Sequence, residues 1–313
     1  MAELVGINIR EEVKYNVFMP LPVDFVERIT SFYPEINISD VFKKKPISIR
    51  VNTLKSTTHD VIKQLDSLKI SYEKISWYKD ALLLPTATSK QITETSLYKE
   101  GKIYIQSLSS MVPALILNPQ NGDKVLDMAA APGSKTTQIS AMMENKGEII
   151  ANDIDSNRIY RLKSVLLTQG VVNTITSRIP GQSLWTKYPE YFDKVLLDAP
   201  CSMEGKFNVT DPKTYSHWSL KKVKNLSKLQ RWMLRSAVSA IKIGGTIVYS
   251  TCTLSPEENE QVIDWILEKE KGNIILEKVK IENISLANGY ILPSEIMEGF
   301  FVAKLKKIKS NTV

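Results

Sequence analysis

The chain has 313 residues, 43% of them hydrophobic, which is enough apolar content to bury one large core or two modest ones. Lys and Arg outnumber Asp and Glu by 41 to 34, and the resulting net charge of +7 favours a polyanionic partner only weakly. Two cysteines and two histidines exclude a disulfide framework and a zinc site, and no apolar run or leader points to a membrane, so we expect a cytoplasmic, metal-free protein.

The first hundred residues alternate short helical and strand-like patterns. Helices are predicted near 24–32 and 58–68 and in a stretch that ends before Gly101, and strands at 48–54, 70–77 and 81–84. We therefore expect a small α+β domain over residues 1–105.

From residue 124 onward, apolar runs alternate with amphipathic helices. The runs lie at 124–133, 147–153, 171–177, 192–200 and 244–252, and the clearest helices lie at 156–170 and 219–245. Continuous apolar strands separated by helices indicate a parallel sheet covered on both faces, so residues 106–313 are predicted to form a doubly wound α/β domain. The segment 299–307 is expected to join this sheet as an antiparallel edge strand.

Ligands of doubly wound sheets bind beyond the carboxyl ends of the strands. Four segments should therefore surround one crevice, namely AAAPGSK (129–135), NDID (152–155), DAPCS (198–202) and STCT (250–253). Both cysteines of the chain lie in these segments.

The segment 129–135 follows the first buried strand and opens a helix, and its small residues let the backbone approach a nucleotide-like ligand. It does not match a phosphate loop, because Ala129 replaces the first glycine and Ser134 separates Gly133 from Lys135. It also lacks the three glycines of a dinucleotide fingerprint. A plain strand-to-helix turn stays open as an alternative.

The two aspartates of NDID have different expected roles. Asp153 follows the loop by about twenty residues, where a carboxylate can accept hydrogen bonds from ribose hydroxyls. Asp155 directly precedes a helix and is expected to cap it.

Asp198 and Cys201 lie on a turn that Pro200 makes rigid, so both side chains should face the crevice. Taken singly, however, a cysteine is more often a small buried hydrophobic residue than a reactive one.

Cys252 lies three residues before a predicted helix start. Ser255 is the expected N-cap, with Pro256 at the first helical position and Glu258 closing a capping box. The positive end of that helix, together with Lys135, would lower the pKa of the Cys252 thiol.

These segments, together with ISIRVNTLK (47–55), IYIQSLSSM (103–111) and GFFVAKL (299–305), resemble the Sun-type (RsmB/RsmF-like) family of RNA cytosine-5 methyltransferases over about residues 46–307. The most specific feature is DAPCS followed by STCT at the ends of successive strands. The resemblance implies a Rossmann-like methyltransferase domain and a small N-terminal domain similar to an RNA-recognition fold. It also implies S-adenosylmethionine as methyl donor and tRNA or rRNA as partner. The sequence does not give the oligomeric state, and we favour a monomer.

The resemblance also assigns roles to individual residues. Cys252 would attack carbon 6 of cytosine, Cys201 would assist loss of the carbon 5 proton and product release, and Asp198 would hold the amidine edge of the base. The implied cofactor contacts are Ala129, Ala130, Ala131, Pro132, Gly133, Ser134, Lys135, Asp153 and Asp198.

The chain departs from the family pattern at several positions. Ala129 and Ser134 replace the usual Cys and second Gly of the loop, and because both are small, cofactor binding should survive. Pro180 stands where the family usually has an Asp-Gly step that reaches the adenine side, which predicts weaker cofactor affinity or a substitute acceptor such as Gln182. Met203 stands where Gly is common.

An RNA methyltransferase of this kind must accept an unstacked cytosine. The basic stretches 43–45, 221–231 and 304–309 could follow RNA phosphates, although each alone is more often a solvated face. Arg50 and Asn52 are, by resemblance, stronger candidates for RNA contacts.

Two other functions compete with this interpretation. A DNA cytosine-5 methyltransferase would use Cys201 as nucleophile, but it typically has Gln where Ser202 stands, and it would leave Cys252 unexplained. An RNA-binding or assembly factor on an inactive fold is the alternative that Pro180 raises, although both thiols and Asp198 are present.

Overall fold

The computed structural model describes residues 21–310 except 285 and 287. The expectation about the N-terminal leader falls on residues 1–18, outside the described residues. Within the described part of the chain, no helix combines the length and the apolar character needed to cross a membrane.

The first elements build a small antiparallel sheet. They are α1 (Val23–Phe32), α2 (Ile38–Val41), β1 (Ile47–Val51), α3 (Thr58–Ser67), β2 (Glu73–Lys74), β3 (Ala81–Leu84), α4 (Ser89–Glu94), α5 (Ser96–Lys99) and β4 (Ile103–Ile105). The strand order is β2-β3-β1-β4, with every neighbouring pair antiparallel. Helix α3 buries Val61 and Leu65 against Ile49 and Leu82 of the sheet, as the helical spacing of these apolar residues dictates.

Two expectations in this region need correction. The predicted strand 70–77 is reduced to β2, because the backbone N–H of Ile70 instead closes α3 on the Leu65 carbonyl and Ile75 begins a turn. The single helical stretch before Gly101 is two helices, since the Thr95 side chain accepts from the backbone N–H of Tyr98 and starts a new one.

The remaining elements form a large mixed sheet covered by helices. They are α6 (Leu108–Leu117), β5 (Lys124–Asp127), α7 (Ser134–Met142), β6 (Glu148–Asn152), α8 (Ser156–Gln169), β7 (Thr174–Ser177), α9 (Leu184–Lys187), β8 (Phe192–Asp198), α10 (Leu220–Ala240), β9 (Ile241–Thr251), α11 (Glu260–Lys269), β10 (Ile274–Glu277), β11 (Tyr290–Ile291) and β12 (Phe300–Lys307).

The strand order of the large sheet is β7-β6-β5-β8-β9-β12-β10, and β11 pairs with β12 outside this path. Strands β5 to β9 are parallel, so the doubly wound prediction is confirmed. Chain order reverses between β5 and β8, and the carboxyl ends of these two strands therefore border the crevice in which such sheets bind ligands.

The expectation that segment 299–307 forms the sheet edge is wrong. Strand β12 is antiparallel, but it lies between β9 and β10. Residues Ile274–Glu277 occupy the outer position instead, because they pair along the second half of β12.

Helices α1 and α2 pack on the large sheet's core although they precede the small sheet in the chain. Phe25 contacts Phe42, Phe207 and Trp218 through ring edges and tilted faces. The domain boundary at residues 105/106 stays a prediction. Helices α1 and α2 precede this boundary in the chain, although they pack on the core of the large sheet.

Arg50 and Asn52 join the two sheets. The Arg50 guanidinium donates to Thr137 Oγ1 at 2.8 Å and to the Ser134 carbonyl at 3.2 Å. The Asn52 amide donates to the carbonyls of Gly101 and Gln169, both at 2.8 Å. Both side chains are 1% exposed, so the expectation that they contact RNA is wrong.

Candidate active site

The loop after β5 is shaped by tight packing. Gly133 ends it with a φ of +113°, and a Cβ atom there would lie 2.9 Å from the Leu162 side chain of α8. Glycine is therefore needed both for the left-handed backbone and for the close approach of the helices. The loop's other residues are mostly small, so its backbone forms one wall of a cavity.

Asp153 supports this loop from behind. Its carboxylate accepts from the backbone N–H groups of Ala131 at 3.3 Å and Asp155 at 3.1 Å, and it pairs with Arg158 at 3.2 Å. Its side chain is 3% exposed. Asp155 caps α8 by accepting from the Arg158 N–H, as the sequence predicts.

Asp198 and Lys135 form an ion pair at the switch point. Lys135 Nζ lies 2.6 Å from Asp198 Oδ2 and also donates to Ser110 Oγ at 2.9 Å. Ser250 Oγ donates to the other oxygen of Asp198 at 2.8 Å. The ammonium is almost buried, whereas Asp198 keeps 29% of its side chain exposed. The carboxylate is thus fixed in position with one edge open.

The two cysteines are in direct contact. Cys201 follows β8 and Cys252 follows β9, and their sulfur atoms lie 3.2 Å apart in a sulfur–sulfur hydrogen bond. Both thiols are free and partly exposed. Gly205 N–H donates to the Cys252 carbonyl at 3.0 Å, which docks the turn after Cys201 onto the second cysteine.

The two thiols have opposite pKa shifts. The hydrogen bond from Cys201 lowers the pKa of Cys252, and the nearby Lys206 ammonium lowers it further. The same hydrogen bond, followed by burial, raises the pKa of Cys201 well above its ordinary value. Cys201 is therefore the donor, and Cys252 is the sulfur that ionises first.

The direction of the Cys252 shift agrees with the sequence-based hypothesis, but its cause differs. Lys135 is paired with Asp198, and Lys206 is the cation that acts on the thiol. The expected capping box at Ser255 does not form: Pro256–Glu258 is a 3-10 turn without a side-chain cap, and α11 begins only at Glu260.

Two buried carboxylates hold the cysteine loops together. Glu258 accepts from the backbone N–H of Ser202 at 3.0 Å and from Gln230 Nε2 at 2.8 Å, and burial raises its pKa to about 7. Glu204 accepts from Thr253, Leu254, Ser255 and Trp218. Ser255 and Glu258 therefore serve these networks rather than a helix cap.

One cavity of about 410 Å³ brings the candidate groups together, and we call it the catalytic cavity. It is lined by Ser110, Asp127, Ala129, Ala130, Ala131, Pro132, Ser134, Lys135, Arg158, Asp198, Ala199, Pro200, Cys201, Met203, Lys206 and Cys252. Of the residues predicted for the site, Gly133 and Asp153 lie behind this lining, and Pro180 and Gln182 lie outside it.

Four lining residues were missed by the sequence reasoning: Ser110, Asp127, Arg158 and Lys206. Asp127 ends β5 and accepts from Thr136 Oγ1 at 2.7 Å, and burial raises its pKa to about 7. Its position directly before the small-residue loop was the available signal. No local pattern marks Lys206, because its placement depends on a turn docked on Cys252.

The fold and this cavity define a class: a doubly wound methyltransferase-type domain with two adjacent thiols at its switch point. Residues 114–306 match the 16S rRNA methyltransferase RsmB/F family, and residues 22–91 match the ferredoxin-like domain of RsmF/B-like methyltransferases. The chain belongs to the RsmB/F methyltransferase family.

The curated relatives that the chain matches are longer than this chain. The chain is 37% identical over 312 residues to ribosomal RNA small subunit methyltransferase F of Vibrio cholerae, and 36% identical over 307 residues to that of Pectobacterium carotovorum. These alignments cover 94% and 93% of this chain but only 65% and 63% of the relatives.

Two solved structures from Pyrococcus horikoshii share the fold. A methyltransferase homologue has 31% identity and a TM-score of 0.75, with 92% of this chain and 100% of that chain covered. NSun6, solved with SFG, has 25% identity and a TM-score of 0.83, with 94% and 100% covered.

Proposed function

We propose that the chain is an RNA (cytosine-5)-methyltransferase that moves a methyl group from S-adenosylmethionine to a cytosine of rRNA through a covalent bond to Cys252. One observation carries this proposal: a single cavity is bordered by the small-residue loop 129–135 and by two thiols 3.2 Å apart. The relatives' names support rRNA rather than tRNA as the substrate.

The loop fits the methyl donor. Ala129, Ala130 and Ala131 leave the backbone open to the cavity, and Asp198 offers a partly exposed carboxylate as a hydrogen-bond acceptor there. When bound, S-adenosylmethionine supplies an electrophilic methyl group on its sulfonium. SFG, found with NSun6, is an analogue of this donor. We propose that Asp153 supports binding by holding the loop.

The opposite pKa shifts of the two thiols fit the order in which the reaction needs a nucleophile and then a base. In the free protein the pKa of Cys252 is lowered and that of Cys201 is raised, so Cys252 gives up its proton first. Once Cys252 is bonded to carbon 6 of cytosine it is no longer an anion, so the charge that raises the pKa of Cys201 disappears. Cys201 can then ionise and act as the base that removes the carbon 5 proton. A reducing cytoplasm would keep both sulfurs as thiols.

The bonds that form and break at the cytosine can be followed in order. Formation of the bond from Cys252 Sγ to carbon 6 breaks the C5–C6 double bond and makes carbon 5 nucleophilic, while ring nitrogen 3 takes a proton from solvent and donates it in a hydrogen bond to Asp198. Carbon 5 then gains the methyl group, and S-adenosylhomocysteine is the leaving group. The ionised Cys201 removes the carbon 5 proton, the C5–C6 double bond re-forms, the bond from Cys252 Sγ to carbon 6 breaks, and nitrogen 3 returns its proton to solvent.

The test is methyl transfer to defined RNAs. Unmodified 16S rRNA and a mixture of unmodified tRNAs, all transcribed in vitro, are incubated with the protein and S-adenosylmethionine. The RNAs are then sequenced after bisulfite treatment. We expect one or a few protected cytosines in 16S rRNA, absent with Cys252→Ser and retained with the surface control Glu268→Gln. Protection confined to tRNA would show that tRNA, and not rRNA, is the substrate. No protection in either RNA would refute the proposal.

A further inference from the structure

A second cavity of about 320 Å³ lies next to the catalytic cavity and is strongly basic. We call it the basic cavity. It is lined by Lys43–Ser48, Ser89, Ile105–Ser107, Gly205–Asn208, Thr214 and Glu298. Four of these described residues are lysines (43, 44, 45 and 206), against one carboxylate.

The contacts of Lys45 and Glu298 place both residues in the wall of the cavity. Lys45 Nζ donates to the carbonyls of Val41 and Ser294, so it ties the segment between α2 and β1 to the loop at Ser294. Glu298 accepts from Ser107 Oγ at 3.0 Å and lies 3.9 Å from Lys206 Nζ. Lys43 and Lys44 are exposed, the Lys206 side chain is 43% exposed, and the four lysines of the lining outnumber its one carboxylate, which gives the cavity a positive field.

The two cavities share one wall. Lys206 lines both, and the adjacent Gly205 donates its N–H to the Cys252 carbonyl at 3.0 Å. The opposite side of the basic cavity comes from the segment before β1, on the small-sheet side of the chain. A strand whose base enters the catalytic cavity keeps its neighbouring phosphates attached, and these must pass close to this wall.

We infer that the basic cavity binds the RNA phosphodiester backbone beside the target cytosine, with Lys43 and Lys44 contacting the phosphates and Lys206 joining the two cavities. This inference rests on the proposed function and adds to it a separate subsite. It assigns Lys43 and Lys44 to substrate affinity rather than to chemistry, because neither borders the thiols.

The experiment measures binding of a fluorescein-labelled, mixed-sequence single-stranded RNA of twelve nucleotides across a salt series. The variant is Lys43→Gln/Lys44→Gln. The charge-conserving control is Lys43→Arg/Lys44→Arg, and the neutralising control is Lys63→Gln, an exposed lysine of α3 outside both cavity linings. Removing the cation that neutralises one phosphate should reduce the slope of log K against log salt by about 0.7.

We expect the double Gln variant to bind on the order of tenfold more weakly at 0.1 M salt, with a slope reduced by about 1.4, while both controls bind like the native protein. With 16S rRNA, KM should rise while kcat stays within about twofold, because the chemistry is untouched. A double Gln variant that matches Lys63→Gln in affinity and slope overturns the inference, and so does a native chain that does not bind the RNA.

The two proposals fail separately. Native protein that methylates 16S rRNA without any dependence on Lys43 and Lys44 retains the proposed function and refutes the subsite. Lysine-dependent RNA binding without methyl transfer retains the subsite and refutes the proposed function.

Discussion

Glu204 offers a sharp test of how the two cysteine loops are held. Its carboxylate is 1% exposed and accepts four hydrogen bonds: Oε1 from Trp218 Nε1 at 2.8 Å and Ser255 Oγ at 2.7 Å, and Oε2 from Thr253 Oγ1 at 2.9 Å and the Leu254 N–H at 3.2 Å. Glu204→Gln keeps the shape of the side chain but replaces one acceptor oxygen with an NH₂ group.

Either orientation of the new amide sets one of its N–H groups against another N–H donor, so that neither has an acceptor. If the NH₂ replaces Oε1, Ser255 can rotate its hydroxyl to accept, but the Trp218 N–H cannot. If it replaces Oε2, Thr253 can rotate, but the Leu254 N–H cannot. One buried donor without an acceptor costs about 1–3 kcal/mol, so we expect the free energy of unfolding to fall by at least that amount.

The assay is urea unfolding followed by far-ultraviolet circular dichroism, with Glu268→Gln on the exposed side of α11 as the control. The midpoint should fall at an unchanged slope m for Glu204→Gln only. The methylation rate should fall too, because residues 253–255 carry the chain away from Cys252. A Glu204→Gln midpoint equal to that of the control would refute the hydrogen-bond argument.

Four further outcomes follow. Lys206→Gln should move the acidic limb of the kcat/KM against pH profile to higher pH, because the cation that lowers the pKa of Cys252 is gone, and Lys206→Arg should restore it. Glu258 has its pKa raised from 4.5 to about 7, so the folded state binds the extra proton between these values and stability falls as pH rises through them. Glu258→Gln should make the free energy of unfolding depend less on pH between these two values. Lys135→Met leaves the partly exposed Asp198 without its cation and should cost about 1–3 kcal/mol in urea unfolding, with an unchanged midpoint as the contrary result. Arg50→Met should lower the midpoint by a similar amount yet leave the affinity for the twelve-nucleotide RNA unchanged, whereas clearly weaker RNA binding would revive its role in RNA contact.

The periodic parts of the sequence predicted the fold well. Apolar runs ending in short polar segments identified the five parallel strands, and the two cysteines were correctly expected at one edge because parallel strands end on the same side. The order of the outer strands could not be derived, because NIILE has a strand-like pattern that does not indicate whether it pairs with β12 or closes elsewhere.

Local rules failed where a side chain had a distant partner. Ser255 and Glu258 have the spacing of a capping box. Ser255 instead donates to Glu204, 51 residues away in the chain, and Glu258 accepts from Gln230, 28 residues away. Arg50 was expected to contact RNA but joins the two sheets, and Lys206 acts on Cys252 through a turn that no local pattern predicts. Such pairings depend on tertiary packing, which short-range spacing does not encode.

The central claim is that the Cys252 sulfur forms the bond to cytosine and that Cys201 completes the reaction. It is tested most directly by incubating the native protein, Cys201→Ser and Cys252→Ser with 16S rRNA and S-adenosylmethionine. Denaturing electrophoresis would then show any protein–RNA adduct, and peptide mass spectrometry would locate the linked residue. We predict that Cys201→Ser accumulates an adduct through Cys252 and that Cys252→Ser forms none. An adduct through Cys201, formed in the absence of the Cys252 sulfur, would contradict the account.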